Sequence, residues 1–183
     1  MSTYHGAIIS GFGGQGVMLI GQILSYAAML DNKNVTWLPS YGPEMRGGTA
    51  NCMVVYDEEA VGSPIVDTPT EVVAMNIPSL LKFEDELPEN GILILNSSVI
   101  DRKTNREDLK VIKVDANKIA DELGNLKVAN MVILGAYVQA TEMTGIETLE
   151  KALKKKLTGN KSKLVDINLA AIKKGMQVAK EQM

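Results

Sequence analysis

Gly11-Phe12-Gly13-Gly14-Gln15-Gly16 directly follows the apolar run Ala7-Ile8-Ile9 and precedes a helical pattern that starts at Val17. The stretch reads as a glycine-rich turn from a strand into a helix. Gly11, Gly13 and Gly16 stand at the Gly-x-Gly-x-x-Gly spacing. Missing side chains there allow a tight turn and a close approach of backbone to a ligand, and the helix N-terminus offers N–H groups to an anion. Two readings stand side by side: an anion or phosphate site, or a turn that lets the first helix pack closely on a sheet.

A second unusual loop, Pro39-Ser40-Tyr41-Gly42-Pro43-Glu44-Met45-Arg46-Gly47-Gly48, follows the next expected strand. A nicotinamide site of this design carries an Asp or Glu about 20 residues past the turn, at the end of strand 2, to hold ribose hydroxyls. Here that strand ends in Pro39-Ser40, and the nearest acid, Glu44, lies beyond Pro43. A conventional NAD site is therefore discounted, while a phosphate at the first turn stays open.

The composition fits one ordinary domain. The chain has 183 residues with 45% hydrophobic content, enough to bury roughly 70% of the surface its unfolded form exposes. Its one cysteine, Cys52, alternates with its neighbours in Asn51-Cys52-Met53-Val54-Val55-Tyr56 and reads as a packed strand residue. With one Cys and one histidine, His5, a zinc or iron–sulfur site made by this chain alone is excluded, so any redox metal belongs to a partner. Met1 to Gly6 lack the basic flank and apolar core of a signal peptide, and Val17 to Leu30 is too short to span a bilayer. A cytoplasmic protein without membrane contact is expected.

The net charge of −3 hides an asymmetry. Residues 151–183 hold nine lysines against Asp166 and Glu181, leaving 10 of the 19 basic and 20 of the 22 acidic side chains to residues 1–150. The basic end fits solvated lysines on helix faces, or a surface for an acidic partner or phosphate. Nucleic acid is not expected, because the lysines are not interleaved with stacking aromatics and the whole chain is acidic.

Along the chain the pattern is α/β: a Rossmann-like, mostly parallel sheet flanked by helices, with a β-hairpin insertion. Strands are expected at 7–10, 35–38, 71–76, 91–96 and 110–114, with helices at 15–30, 78–86, 129–141, 146–157 and 164–180 and a short one after 114. The insertion is a β stretch from Thr49 to Tyr56 turning through Asp57-Glu58-Glu59 into Val61 and Ile65-Val66. The runs ending in Asn76 and Asn96 read as buried parallel strands whose C-terminal ends open onto a site. From Ala129 to Thr141 the apolar residues lie almost all round, so that helix must be covered on more than one side. It is either a central core helix or a subunit interface, where Gly135 and Ala136 would permit close packing.

The two glycine-rich loops, both at strand C-termini, are expected to converge on one edge of the sheet. Candidate ligand contacts are Gly11, Gly13, Gly14, Gln15 and Gly16 from the first and Ser40, Tyr41, Glu44, Arg46 and Gly47 from the second. Arg46 could hold a phosphate or carboxylate in fork geometry, with backbone N–H groups at 13–16 adding anion contacts. It could equally pair with Glu44 or a partner's carboxylate. Tyr41 suits an interface or a stacking surface.

Gly-Phe-Gly-Gly-Gln-Gly-Val at 11–17, Ser-Tyr-Gly-Pro-Glu-Met-Arg-Gly-Gly-Thr-Ala at 40–50, Gly-Ser-Pro-Ile-Val at 62–66 and Asn-Met-Val-x-Leu-Gly at 130–135 together resemble the gamma subunit of 2-oxoacid:ferredoxin oxidoreductases. The resemblance covers roughly residues 6–175, and its second motif looks most like that of 2-oxoglutarate enzymes, with branched-chain enzymes close behind. It implies oxidative decarboxylation of a 2-oxoacid to its acyl-CoA, with thiamine diphosphate and iron–sulfur clusters supplying the chemistry. This chain has neither a Gly-Asp-Gly…Asn motif for Mg and thiamine diphosphate nor a cysteine cluster. By resemblance these lie on alpha, beta and ferredoxin-like delta subunits. This chain is then inactive alone, a part that frames the site and contacts coenzyme A (CoA), with electrons leaving the complex to ferredoxin. The rival readings are a stand-alone nucleotide- or CoA-binding protein and a purely structural assembly subunit.

Overall fold

The computed structural model describes residues 3–42 and 48–183, with Tyr41 by its backbone alone. Glu44, Arg46 and Gly47 lie outside the described residues. The first strand, β1 (His5–Phe12), is buried at six consecutive positions, as a central strand covered on both faces must be. It leads into α1 (Val17–Leu30), which turns Val17, Ile20, Ile23, Leu24, Ala27 and Ala28 inward. Gln15 and Gly16 belong to the turn rather than to the helix expected from 15. Gly16, at φ 77°, takes the N-cap position in the left-handed region, which halts helical geometry there.

The strands β2 (Asn34–Tyr41) and β3 (Thr49–Asp57) form an antiparallel pair, and β3 also pairs antiparallel with β1. The remaining strands, β4 (Glu71–Ala74), β5 (Ile92–Asn96) and β6 (Lys110–Val114), pair parallel in the order β1-β4-β5-β6. The six-stranded sheet therefore runs β2-β3-β1-β4-β5-β6, a mixed sheet in which β3 alone opposes the common direction. This is the expected α/β class with a corrected insertion. The hairpin is β2–β3, with β3 wedged inside the sheet between β2 and β1. Val61 and Ile65-Val66 form no strand, because Gly62, Pro64 and Pro69 break the stretch, while Val61 and Val66 still pack under the sheet.

On one face lie α2 (Ile77–Phe83) and a 3-10 turn (Glu84–Glu86), whose Leu80 and Phe83 meet Ile8, Val55, Val72, Leu93 and Leu95. On the other lie α1, α3 (Ala116–Glu122), α4 (Ala129–Thr141), α5 (Ile146–Lys156) and α6 (Val165–Lys180). The apolar helix α4 is buried from Asn130 to Val138 within this single chain. It is a core helix, and the subunit-interface reading of it falls. Its closest neighbour is α6. A Cβ added at Gly135 would run into the Ile172 carbonyl, and one at Gly175 into the Val132 carbonyl, so the two backbones touch directly. Among the described residues no helix is long and apolar enough to cross a membrane.

The polar groups inside the N-terminal end of the sheet pair with one another. Nδ1 of His5 lies 2.7 Å from Oε1 of the buried Glu71. The Tyr137 hydroxyl donates to Glu71 Oε2 (3.3 Å) and lies 3.0 Å from the Tyr56 hydroxyl, and the His5 ring stacks on Tyr56 at 4.6 Å. Burial, reinforced by the Glu71 charge, pushes the phenols of Tyr56 and Tyr137 well above the ordinary tyrosine range. The sole histidine is committed to this network, at the opposite end of the sheet from the glycine-rich turn.

Candidate functional site

From β1 the chain passes through α1 to one face of the sheet, and from β4 through α2 to the other. The adjacent C-terminal ends of β1 and β4 thus form a topological switch point, where α/β sheets open a crevice. A cleft of about 490 Å³ lies there, lined by Gly14, Gln15, Gly16, Leu19, Met75 and, from the far wall, Asn96, Asn117, Leu126, Lys127, Ala129 and Asn130.

The glycines in the turn serve different ends. Gly11 is a packing glycine: a Cβ there would lie 2.7 Å from Gln15 Oε1 and 2.8 Å from Met75 Cβ. Gly14 has φ 101° and open space beside it, so the conformation rather than the packing requires glycine. Gly16 meets both conditions, since an added Cβ would collide with the Asn130 carboxamide, whose Nδ2 donates to the Gly16 carbonyl (3.3 Å). Gly13 ties the two loops together, its N–H donating to the Gly48 carbonyl at 2.9 Å. The expected convergence of the loops thus holds at their described ends.

Gln15 is the brace of the turn. Its Oε1 accepts from Phe12 N (2.6 Å) and Asn76 Nδ2 (3.3 Å), and its Nε2 donates to the Met75 carbonyl (2.9 Å). One side chain therefore locks the end of β1 to the end of β4. Asn76 also caps α2, accepting from Ser79 N at 2.9 Å. On the second loop, Ser40 is exposed near the end of β2, and Tyr41 closes that strand.

The far wall rests on Asn96, where β5 ends. Its Nδ2 donates to Asn117 Oδ1 (3.1 Å), and its Oδ1 accepts from Ser98 N (3.3 Å). Ser98 in turn donates to Asp115 and accepts from Asn117 N (2.9 Å). Two helices begin at the cleft, α1 at Gly16 and α4 beside Ala129 and Asn130, and Lys127 stands on its rim. Among the described residues that line it, none is a carboxylate. Its described lining offers amide donors and acceptors and the Lys127 ammonium on the rim, and among the described residues no nucleophile or general base. Cys52 takes no part: its thiol is buried, 3.7 Å from the Val17 carbonyl, and burial pushes its pKa up to about 11.

Asn117, Leu126 and Lys127 have no counterpart in the sequence reading. Asn96 does, through its place at the end of an apolar run, and Asn130 does through the motif at 130–135.

The sequence pattern described as pyruvate ferredoxin/flavodoxin oxidoreductase matches residues 6–178. The chain belongs to this oxidoreductase family. It is 41% identical over 177 residues to ketoisovalerate oxidoreductase subunit VorA of Methanothermobacter marburgensis, covering 96% of this chain and 36% of VorA. It therefore spans about a third of that relative's length. It is also 37% identical over 177 residues to 2-oxoglutarate synthase subunit KorC of Methanocaldococcus jannaschii, covering 94% and 92% of the two chains. The gamma subunit of a keto/oxoacid ferredoxin oxidoreductase from Geobacter sulfurreducens shares the fold of this family member with a TM-score of 0.82 at 28% identity, over 97% and 99% of the chains. A 2-oxoglutarate:ferredoxin oxidoreductase from Magnetococcus marinus, solved with 2-oxoglutarate, coenzyme A and succinyl-CoA, contains the same fold (TM-score 0.89, 21% identity, 99% of this chain and 32% of that one).

Proposed function

We propose that this chain is the gamma subunit of a 2-oxoacid:ferredoxin oxidoreductase, which converts 2-oxoglutarate and coenzyme A to succinyl-CoA, carbon dioxide and a proton and passes the two electrons released to oxidised ferredoxin. The observation that carries the reading is the switch-point cleft. It is large enough for part of a ligand, lined by carboxamides, and among the described residues without a group that can do acyl or electron chemistry. Such a subunit binds and positions while others react. The names of the KorC and VorA relatives, and the 92% of KorC that the chain spans, support the same reading.

Thiamine diphosphate with Mg and the iron–sulfur clusters fit this chain's residues poorly, since no described residue lining the cleft is a carboxylate for the metal and the chain has a single cysteine, which is buried. They belong to alpha, beta and delta-type partner subunits in a cytoplasmic complex, where they supply the carbanion and electron-transfer chemistry. This chain's own contribution is the Gly13–Gly16 turn and the Arg46 loop, which hold the anionic part of coenzyme A and orient it toward the partners' site. A branched-chain 2-oxoacid is the second reading, favoured by the 41% identity to VorA.

The test is reconstitution. The chain alone should reduce no viologen with a 2-oxoacid and coenzyme A, the partner subunits alone should be inactive or unstable, and the mixture should be active. Comparing 2-oxoglutarate with 2-oxoisovalerate assigns the substrate. Full activity of the partners without this chain would sink the proposal.

A further inference from the structure

We infer that the outer edge of β2 is a homotypic interface, to which a second copy of this chain adds its own β2, antiparallel about a two-fold axis at Thr36. The sheet then runs through both copies.

Pairing inside the chain fixes which backbone groups are free. The Gly13 N–H donates to the Gly48 carbonyl, and the Gly42 N–H to the Thr49 carbonyl. Bonded pairs recur at every second residue of an antiparallel ladder. In the register of β3, positions 50, 52, 54 and 56 therefore bond β1, while 51, 53, 55 and 57 bond β2 at 40, 38, 36 and 34. Val35, Trp37 and Pro39 turn their backbone outward at the edge of the sheet. Among the described residues nothing meets the N–H or carbonyl of Val35 or Trp37 there.

The two edges of the sheet differ. At β6 the Gln182 carboxamide accepts from Lys113 N (3.0 Å) and donates to the Lys113 carbonyl (2.8 Å), and lysines at 110 and 113 add charge. Cover and charge are what keep sheet edges from pairing with one another. The eight residues of β2 carry no charged side chain, and Leu38 on it is 37% exposed.

This edge is complementary to itself. Pairing Val35 with Trp37 of the second copy makes four backbone hydrogen bonds and leaves Pro39, which has no N–H, beyond the bonded stretch. Thr36 then faces its own counterpart in the close, non-bonded pair. Its Oγ1 is buried with no hydrogen-bond partner, so a turn about χ1 breaks no bond and offers the hydroxyl across the axis. The charges agree as well. The acidic turn Asp57-Glu58-Glu59 adjoins the Asn34 end of β2, and the antiparallel arrangement sets it beside the uncharged 38–41 end of the other copy. Two chains of net charge −3 thus meet without opposed carboxylates. A seam of this length buries less than the roughly 1,200 Å² of a stable interface, so the free chain should dimerise reversibly and only when concentrated.

Oxidative cross-linking of the full chain, and of the reconstituted complex, is the test. The close antiparallel pair sets Cα atoms about 4.5 Å apart, within disulfide reach. Thr36→Cys should link to itself. Asn34→Cys and Leu38→Cys should each fail to link alone but link to one another when mixed, because 34 meets 38 across the axis. Cys52 is buried and takes no part. Val35→Pro removes an N–H that bonds nothing among the described residues, and it should weaken dimerisation in sedimentation velocity by roughly tenfold; melting curves confirm that it folds. A Thr36→Cys dimer in either sample, with that register, supports the inference. Its absence from both, in a chain that stays monomeric at about 1 mM, would overturn it. So would Asn34→Cys linking to itself as readily as Thr36→Cys, the mark of chance collision, or a Thr36→Cys link to a different subunit, which would give the edge to that subunit.

Discussion

Replacing Gly135 with alanine sets two opposite effects against each other. Alanine improves helix propensity by up to about 1 kcal/mol, so an exposed mid-helix glycine would be stabilised by the change. At Gly135, however, the new Cβ falls on the backbone carbonyl of Ile172, and the reciprocal glycine, Gly175, already sits against the carbonyl of Val132. Backbone cannot rotate aside as a side chain can. The helices α4 and α6 must separate, which loosens the contacts of Met131, Val132 and Leu134, all fully buried. Overpacking of this kind costs about 1–3 kcal/mol, and an immovable obstacle puts it at or beyond the upper end. The net loss should be roughly 2 kcal/mol, which lowers Tm by about 4–8 °C for a chain of this length. Thermal melts followed by circular dichroism measure it, with Gly62→Ala as the control, since a Cβ at Gly62 meets nothing. If Gly135→Ala melts at or above the parent, the α4–α6 contact is not what holds this face together.

Tyr56 and Tyr137 are held protonated by burial and the nearby Glu71, so the folded state keeps protons that the unfolded chain releases near pH 10. Stability should therefore fall as pH rises past about 10, by up to about 1.4 kcal/mol per pH unit for each tyrosine. Tyr137→Phe should reduce that slope in urea titrations, and an unchanged slope would count against the network. The Cys52 thiol, raised to about 11 by burial, should react with iodoacetamide at pH 8 only as fast as the chain unfolds; labelling faster than unfolding would show an open site. At Arg46, lysine should substitute almost as poorly as alanine, each losing roughly 1.5–3 kcal/mol of coenzyme A binding or of subunit association. Normal assembly and full activity of Arg46→Ala would remove this loop from both roles.

The β1–turn–α1 unit was legible because the hydrophobic period changes abruptly at a run of glycines. The bounds of α4 and β6 were legible too, the first from apolar residues on every side and the second from a short alternating run between polar breaks. The neighbours of β3 were not. Alternation in Asn51-Cys52-Met53-Val54-Val55 says that the segment is a strand, but nothing in it says whether β2, β1 or residues 61–66 lie beside it. Pairing partners are set by packing between elements distant in sequence, β3 lying against β1 and under α1. In the cleft, Asn96 showed itself by ending an apolar strand. Asn117 and Lys127 did not, because polar residues on a short helix and a 3-10 turn look the same in sequence whether they face solvent or a ligand.

Hydrogen–deuterium exchange on the assembled complex, with and without coenzyme A, tests most directly whether this chain's cleft meets the coenzyme. The account predicts slower exchange at the backbone amides of 14–18 and 126–131, with no change in the buried network around Glu71 at the opposite end of the sheet. Unchanged exchange in both segments, in a complex that turns over coenzyme A, would contradict it.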